Sequence, residues 1–205
     1  MKELKKARII PWVGENYGTG VYDKKVLILG ESHYGEPSEN EDDNRTQTID
    51  VVTEFIEDYR GEGYQQTFLC FERALAGREI NEEERRQLWN SVMFYNYFQL
   101  EAGGPRQHPN MDSAKMSEEA FRELLEVYQP DAIIMWGVRL FDLTPAWDGH
   151  ETKLTTEVGE TRIWHYNING HDIPAMMVYH PSSPDGKSWP YWHHFHKAFI
   201  GEPKF

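Results

Sequence analysis

The sequence predicts an α/β protein: a three-layer α/β/α sandwich around a central, mainly parallel four-stranded sheet, with one antiparallel strand added at an edge. Three observations lead there. Four short apolar runs, Val26 to Leu29, Val92 to Phe98, Ala132 to Trp136 and Ala175 to Tyr179, have the length and side-chain type of strands buried on both faces. Helical patterns separate them, and strand–helix alternation implies parallel strands joined by crossover helices. Near the end, Ile163 to Ile168 and Ile173 to Tyr179 flank Asn169-Gly170, a two-residue hairpin signal that supplies the antiparallel edge.

The helices follow from apolar spacing and from their ends. Ile49, Val52, Ile56 and Tyr59 share a face after an Asp43-Asn44 cap, and Phe68, Phe71 and Leu75 share another. Asn81 with Glu84 three residues on forms a capping box. After Ser117, a further cap, Phe121, Leu124, Leu125 and Tyr128 repeat at helical spacing, and Gln129-Pro130 stops that helix. Pro190 opens a last helix whose apolar face is Trp189, Trp192 and Phe195. The loosest stretches are Glu36 to Asn44, Ala102 to Ala114 and Asp142 to Thr155. Residues 1–24, dense in Gly and aromatics from Pro11 to Gly18, read as an extension packing near the active face of a single domain spanning 1–205.

A chain of 205 residues with 39 % hydrophobic side chains buries one sizeable core. No apolar run approaches the ~20 residues that cross a bilayer, and Met1 to Ile10 has no signal-peptide core, so a cytoplasmic protein without a membrane partner is expected. The one cysteine, Cys70, excludes an internal disulfide and any iron–sulfur cluster or four-thiolate zinc held within one chain, and its setting between Leu69 and Phe71 reads as packing. Among His193, His194 and His196 a pair lies at i, i+3, yet no matching third ligand motif accompanies it, and no metal or other cofactor is expected. With 34 acidic and 21 basic residues the net charge is −13, which argues against a broad nucleic-acid-coating surface. Much of the acidity sits in Glu36 to Glu62 and Glu79 to Glu84, leaving Arg106, His108, Arg139, Lys187 and Lys197 as candidates for a local basic rim. A monomer is the default expectation.

In a parallel α/β sheet, ligands bind beyond the carboxyl ends of the strands, where loops converge and helix N-termini point amides outward. That rule nominates Gly30-Glu31-Ser32-His33-Tyr34-Gly35, Asn96 to Gln99, Gly137-Val138-Arg139 and His180-Pro181-Ser182-Ser183-Pro184.

At those segments the chain resembles the uracil-DNA glycosylase superfamily. Val26 to Gly35 looks like that family's first motif, a buried strand ending in Gly, an acid or amide, a small residue and a tight turn. Tyr179 to Pro184 is similar to its His-Pro-Ser-Pro loop with one serine inserted before the last proline, and Ala132 to Gly137 matches its apolar strand ending in Trp-Gly. Asn96 lies on the strand where the family keeps its base-reading asparagine. The resemblance runs from Val26 to Trp189 on four short segments. It implies an N-glycosidic hydrolase acting on uracil or a related deaminated base, with DNA as partner. Asn96 would read the N3–H and O4 edge, its carboxamide offering an acceptor and donors in one plane. His180 would donate to the oxygen on which charge develops as the bond breaks. Gly30, Tyr34 and Gly35 would shape the base pocket, Tyr34 standing where a thymine methyl would lie. Ser182 and Ser183 would hold phosphates, and Lys187 or Trp189 would press into the duplex.

Departures from the family pattern fall at the catalytic step. Ser32 stands where the most active branch has a water-orienting aspartate, His33 stands where proline is usual, and the wedge leucine is absent. Glu31 or Glu36 is then left to orient water, or His33 to act as a base. A binding module that has lost catalysis, and a hydrolase of free or modified nucleosides, are the competing readings, the former favoured by the acidic charge and Ser32.

Overall fold

Side chains on a strand point alternately to its two faces, so a strand apolar at every position must be covered on both. The computed structural model describes residues 3–33, 44–61, 63–100, 111–183 and 188–205. Their elements are, in chain order, β1 (Trp12–Val13), β2 (Val26–Gly30), α1 (Gln47–Glu57), α2 (Gln65–Ala76), α3 (Glu82–Trp89), β3 (Val92–Asn96), α4 (Met111–Tyr128), β4 (Ala132–Trp136), α5 (Val138–Leu143), β5 (His150–Thr156), β6 (Gly159–Ile168), β7 (His171–Val178) and α6 (Trp189–Ile200).

The α/β class is as expected, but the sheet is larger and more mixed than the four strands predicted. Seven strands lie in the order β1-β3-β2-β4-β7-β6-β5. The pairs β3/β2, β2/β4 and β4/β7 are parallel, whereas β1/β3, β7/β6 and β6/β5 are antiparallel. Two antiparallel strands therefore extend the β7 side and a short one closes the other edge, in place of one added strand. The underestimate has a local cause. From Asp142 to Thr155 the chain is polar and its pattern predicts a loop, yet it contains the end of α5 and most of β5, whose exposed face needs no apolar run. An antiparallel sheet tolerates one wet face, so such a strand carries little hydrophobic signal.

Alternation along β2 divides the core in two. Val26 and Ile28 join α1, α2, α3 and α6 on one face, through Phe55, Phe68, Phe71, Trp89 and Phe195. Leu27 and Leu29 join α4 and α5 on the other, through Phe121, Leu124, Leu125 and Leu140. Helices thus cover both faces. Each fully buried side chain of this size contributes roughly 1.5–3 kcal/mol.

Local signals are met in several places. Asn81 and Glu84 form the reciprocal capping box that starts α3. Asn169 and Gly170 both have positive φ, 54° and 82°, and close the β6–β7 hairpin. Other signals are overridden. Ser117 does not cap a helix: α4 begins at Met111, and the buried Ser117 hydroxyl donates to Ser113 O while accepting from the Gln99 N–H. The N-cap position of α1 is Thr46 rather than Asp43-Asn44, and Asp43 lies outside the described residues.

The N-terminal segment is structural. β1 pairs with β3, Arg45 donates to Ala7 O, and the Ile9 N–H donates to the buried Gln99 side chain. Between α2 and α3, Glu72 and Arg85 form a buried bidentate ion pair, with the guanidinium 4.6 Å from the ring centres of both Phe55 and Tyr59. None of the described helices is long and apolar enough to cross a membrane.

Candidate functional site

Parallel pairing aligns the carboxyl ends of β2, β3, β4 and β7, and their exits meet. Gly30 and Asn96 are register partners, and the ladder runs past both strands through Tyr97 N–H to Gly30 O and Phe98 N–H to Glu31 O. On the other side the Gly137 N–H donates to Val178 O, so the turn after β4 is pinned to the end of β7. A cleft of about 520 Å³ opens there, lined from the strand ends by Gly30, Glu31, Ser32, His33, Phe94, Asn96, Trp136, His180 and Ser182. The first turns of α1 and α2 close it with Gln47, Val51, Tyr64, Thr67 and Phe68. The volume suits a planar heterocycle with part of an attached sugar.

The floor is aromatic. Phe94 and Trp136 lie with ring centres 5.1 Å apart, and Phe68 stands 5.0 Å from the first and 5.4 Å from the second. Trp136 is also edge-on to the His180 ring at 6.1 Å. The buried indole N–H of Trp136 and the buried Oε1 of Gln47 have no hydrogen-bond partner among the described residues. Buried polar atoms of this kind are normally satisfied, so a cleft carrying two is suited to a ligand with polar edges.

Asn96 is buried and its carboxamide is already engaged. Its Nδ2 lies 3.0 Å from His33 Nε2, which in turn lies 2.8 Å from the Thr48 hydroxyl in the first turn of α1. An amide nitrogen only donates, so His33 Nε2 is the acceptor and the ring proton sits on Nδ1. Burial lowers the His33 pKa to about 4, which keeps the ring neutral at ordinary pH. The expected use of His33 as a base meets a nitrogen already engaged: Nε2 accepts from the Asn96 carboxamide and the Thr48 hydroxyl. Glycine at position 30 makes room for this arrangement, because a Cβ there would overlap Asn96 Oδ1.

His180 follows β7 and is half-buried. Its Nδ1 accepts from the Ser182 N–H at 3.3 Å and lies 2.8 Å from the Ser182 hydroxyl. The neutral ring consequently carries its proton on Nε2, a donor at the edge of the cleft. Desolvation pushes its pKa below the ordinary histidine value, so the neutral donor persists near pH 7.

Glu31 lines the cleft, but Arg139 at the start of α5 grips its carboxylate with both Nε and a terminal nitrogen. With both carboxylate oxygens engaged by the guanidinium, Glu31 has little left to orient water unaided. Ser32 is half-buried in the lining. The other predicted residues separate. Ser183 donates its N–H to His180 O and is outside the lining. Trp189 packs against the aromatic core and borders a different, water-sized cavity of about 20 Å³ shared with Cys70, Pro181 and His196. Tyr34, Gly35, Glu36 and Lys187, like Arg106 and His108 of the supposed rim, lie outside the described residues.

The C-terminal histidines are divided among different tasks. The His193 ring N–H donates to Ala74 O, His194 pairs with Glu157, and His196 is buried edge-on to Phe71. Among the described residues no three of His, Cys, Asp or Glu are grouped to hold a metal ion. Sequence reasoning missed Gln47, Thr48, Tyr64, Thr67 and Phe68, although the rule that helix N-termini face such sites marks where to look. Comparison of the chain with protein-family models and with curated protein sequences returns no match.

Proposed function

We propose that this protein is a uracil-DNA glycosylase-like hydrolase, cleaving the N-glycosidic bond of uracil or a related deaminated base in DNA. The observation carrying this reading is the convergence of Gly30 to His33, Asn96 and His180 on one aromatic-floored cleft. The parallel run β3-β2-β4-β7 is read as the glycosylase-like core, and β1, β5 and β6 as additions to it.

In this reading the target base leaves the stack and lies against Phe94, Trp136 and Phe68, with the exposed Tyr64 at the mouth. Asn96 hydrogen-bonds the ring edge. His180 Nε2–H donates to the oxygen that gains charge as the C1′–N bond lengthens, lowering the barrier more than it stabilises the ground state. Water adds at C1′, leaving the free base and an abasic sugar. Ser32 is the polar side chain of the first loop left to meet that water, and Ser182 at the rim is suited to a phosphate oxygen.

A second reading, a module that binds a nucleobase or nucleoside without excision, is favoured by two observations. Glu31 and His33, two of the groups offered for activating water, are both occupied by Arg139 and Asn96. The net charge of −13 points the same way.

Single- and double-stranded oligonucleotides carrying uracil, hypoxanthine or xanthine, incubated with the protein and then treated with alkali, separate the two. Strand scission at uracil is the expected result; intact strands throughout would reject excision and leave the binding reading.

A further inference from the structure

We infer that His33 is a positioning residue that locks the Asn96 carboxamide in one of its two flip states, so that the cleft accepts a ring edge with N–H beside C=O and refuses one with a bare ring nitrogen beside NH2. The inference rests on the reading of the cleft as a nucleobase site, but not on catalysis.

A carboxamide is symmetric in shape and antisymmetric in hydrogen bonding. Rotating it by half a turn exchanges an acceptor for a donor at almost no steric difference, so an unrestrained asparagine reads uracil in one state and cytosine in the other. Selectivity therefore needs something that distinguishes oxygen from nitrogen. Here Nδ2 is directed at His33 Nε2 and Oδ1 lies over Gly30, leaving Oδ1 and the second N–H for a ligand. That pair matches an N–H/C=O edge, such as uracil, at both points. Against cytosine both points are mismatched, acceptor to acceptor and donor to donor.

The third member, Thr48, makes the lock directional. In the observed state one unprotonated nitrogen accepts from two groups, the Asn96 N–H and the Thr48 hydroxyl. Flipping the amide would turn Oδ1 toward His33, and the ring would have to move its proton to Nε2. The Thr48 hydroxyl could then no longer donate to that nitrogen and would need another acceptor in a buried site, where an unmet hydrogen bond is expensive. The central strands fix the distances: Asn96 is anchored by its pairing with Gly30, and Thr48 is fully buried at the start of α1.

The test is equilibrium binding of short single-stranded oligonucleotides bearing one central uracil or cytosine, with histidine-labelled protein for 15N spectroscopy. At neutral pH the wild type is expected to show His33 protonated on Nδ1 and bare on Nε2, and to bind the uracil strand at least tenfold more tightly. His33→Phe keeps a ring but removes the acceptor, and should reduce that preference tenfold or more. His33→Gln restores an acceptor and should recover most of it, while Thr48→Val should weaken it severalfold.

A protonated Nε2 in the wild type, equal binding of the two strands, or a preference untouched in His33→Phe would each overturn the lock. Should His33→Phe fail to fold, the 15N result and Thr48→Val still decide. Preserved binding preference without excision would reject only the hydrolase; excision of uracil with the preference unchanged in His33→Phe would reject only the lock.

Discussion

Gly30 and Asn96 face each other in register across β2 and β3, and the carboxamide oxygen of Asn96 occupies the space that a Cβ on Gly30 would fill. The absent side chain is thus part of the geometry that places the amide. Gly30→Ala should displace the amide and lower uracil excision tenfold or more, with a stability loss of roughly 1–3 kcal/mol from crowding against Phe94 as well. Excision assays alongside thermal melting check both, and unchanged excision would mean that the amide does not read the substrate.

His180 is expected to dominate the chemical step. His180→Ala should reduce single-turnover excision by roughly a hundredfold to a thousandfold, the usual loss for one donor aimed at developing charge. Ser182→Ala removes the hydroxyl beside Nδ1 but leaves the backbone N–H, so a loss of only about fivefold is expected, equivalent to one hydrogen bond of ~1 kcal/mol. A larger effect of Ser182→Ala than of His180→Ala would reverse these roles.

Tyr64 stands at the cleft mouth, 38 % exposed, with its hydroxyl donating to Glu54. Stacking of a base on an aromatic side chain contributes roughly 1–3 kcal/mol. Tyr64→Ala should therefore weaken uracil-strand affinity about tenfold while shifting Tm little. Unaltered affinity would place the bound base elsewhere.

The buried Glu72–Arg85 pair lies away from the cleft lining and should act on stability alone. Removing one partner leaves a charge buried and unpaired, at a cost of roughly 3–5 kcal/mol. Glu72→Ala is expected to lower Tm on the order of 10 °C. Replacing both residues by apolar ones of similar volume should recover much of the loss, which denaturant titration can measure.

Two buried histidines make the fold acid-labile. Burial depresses the folded-state pKa of His33 to about 4 and of His196 to about 3, from an ordinary 6.5. Above 6.5 both folded and unfolded states are neutral and these rings add no pH dependence. Below it the unfolded chain takes up protons that the folded one refuses, so stability falls with pH at about 1.4 kcal/mol per unit for each ring. The decline should end near pH 4 for His33 and near pH 3 for His196, where the folded rings protonate too. Urea titrations across this range should show a shallower slope in His196→Phe; an identical slope would remove His196 from the account.

Much of the fold was legible because its signals are local. β2, β3 and β4 begin where their apolar runs begin, since a strand covered on both faces needs an apolar residue at every position. Asn169-Gly170 specifies its hairpin through backbone conformation alone. β5 was illegible for the converse reason: its exposed residues alternate too weakly to mark a strand. The strand-end rule also located Gly30, Asn96 and His180, because parallel pairing obliges aligned strands to open at one edge.

What the sequence by itself determined is where the chain turns, caps and buries, together with the chemical types available at each strand exit. Only the tertiary structure decided which of those groups meet: Arg139 with Glu31 across 108 positions, and Asn96 with His33 across 63. Local patterns record the preferences of a residue and its near neighbours, whereas hydrogen-bond partners at such separations are chosen by strand order and helix packing. For that reason no local pattern announces that His33, read from the sequence as a base, accepts a hydrogen bond from the Asn96 amide.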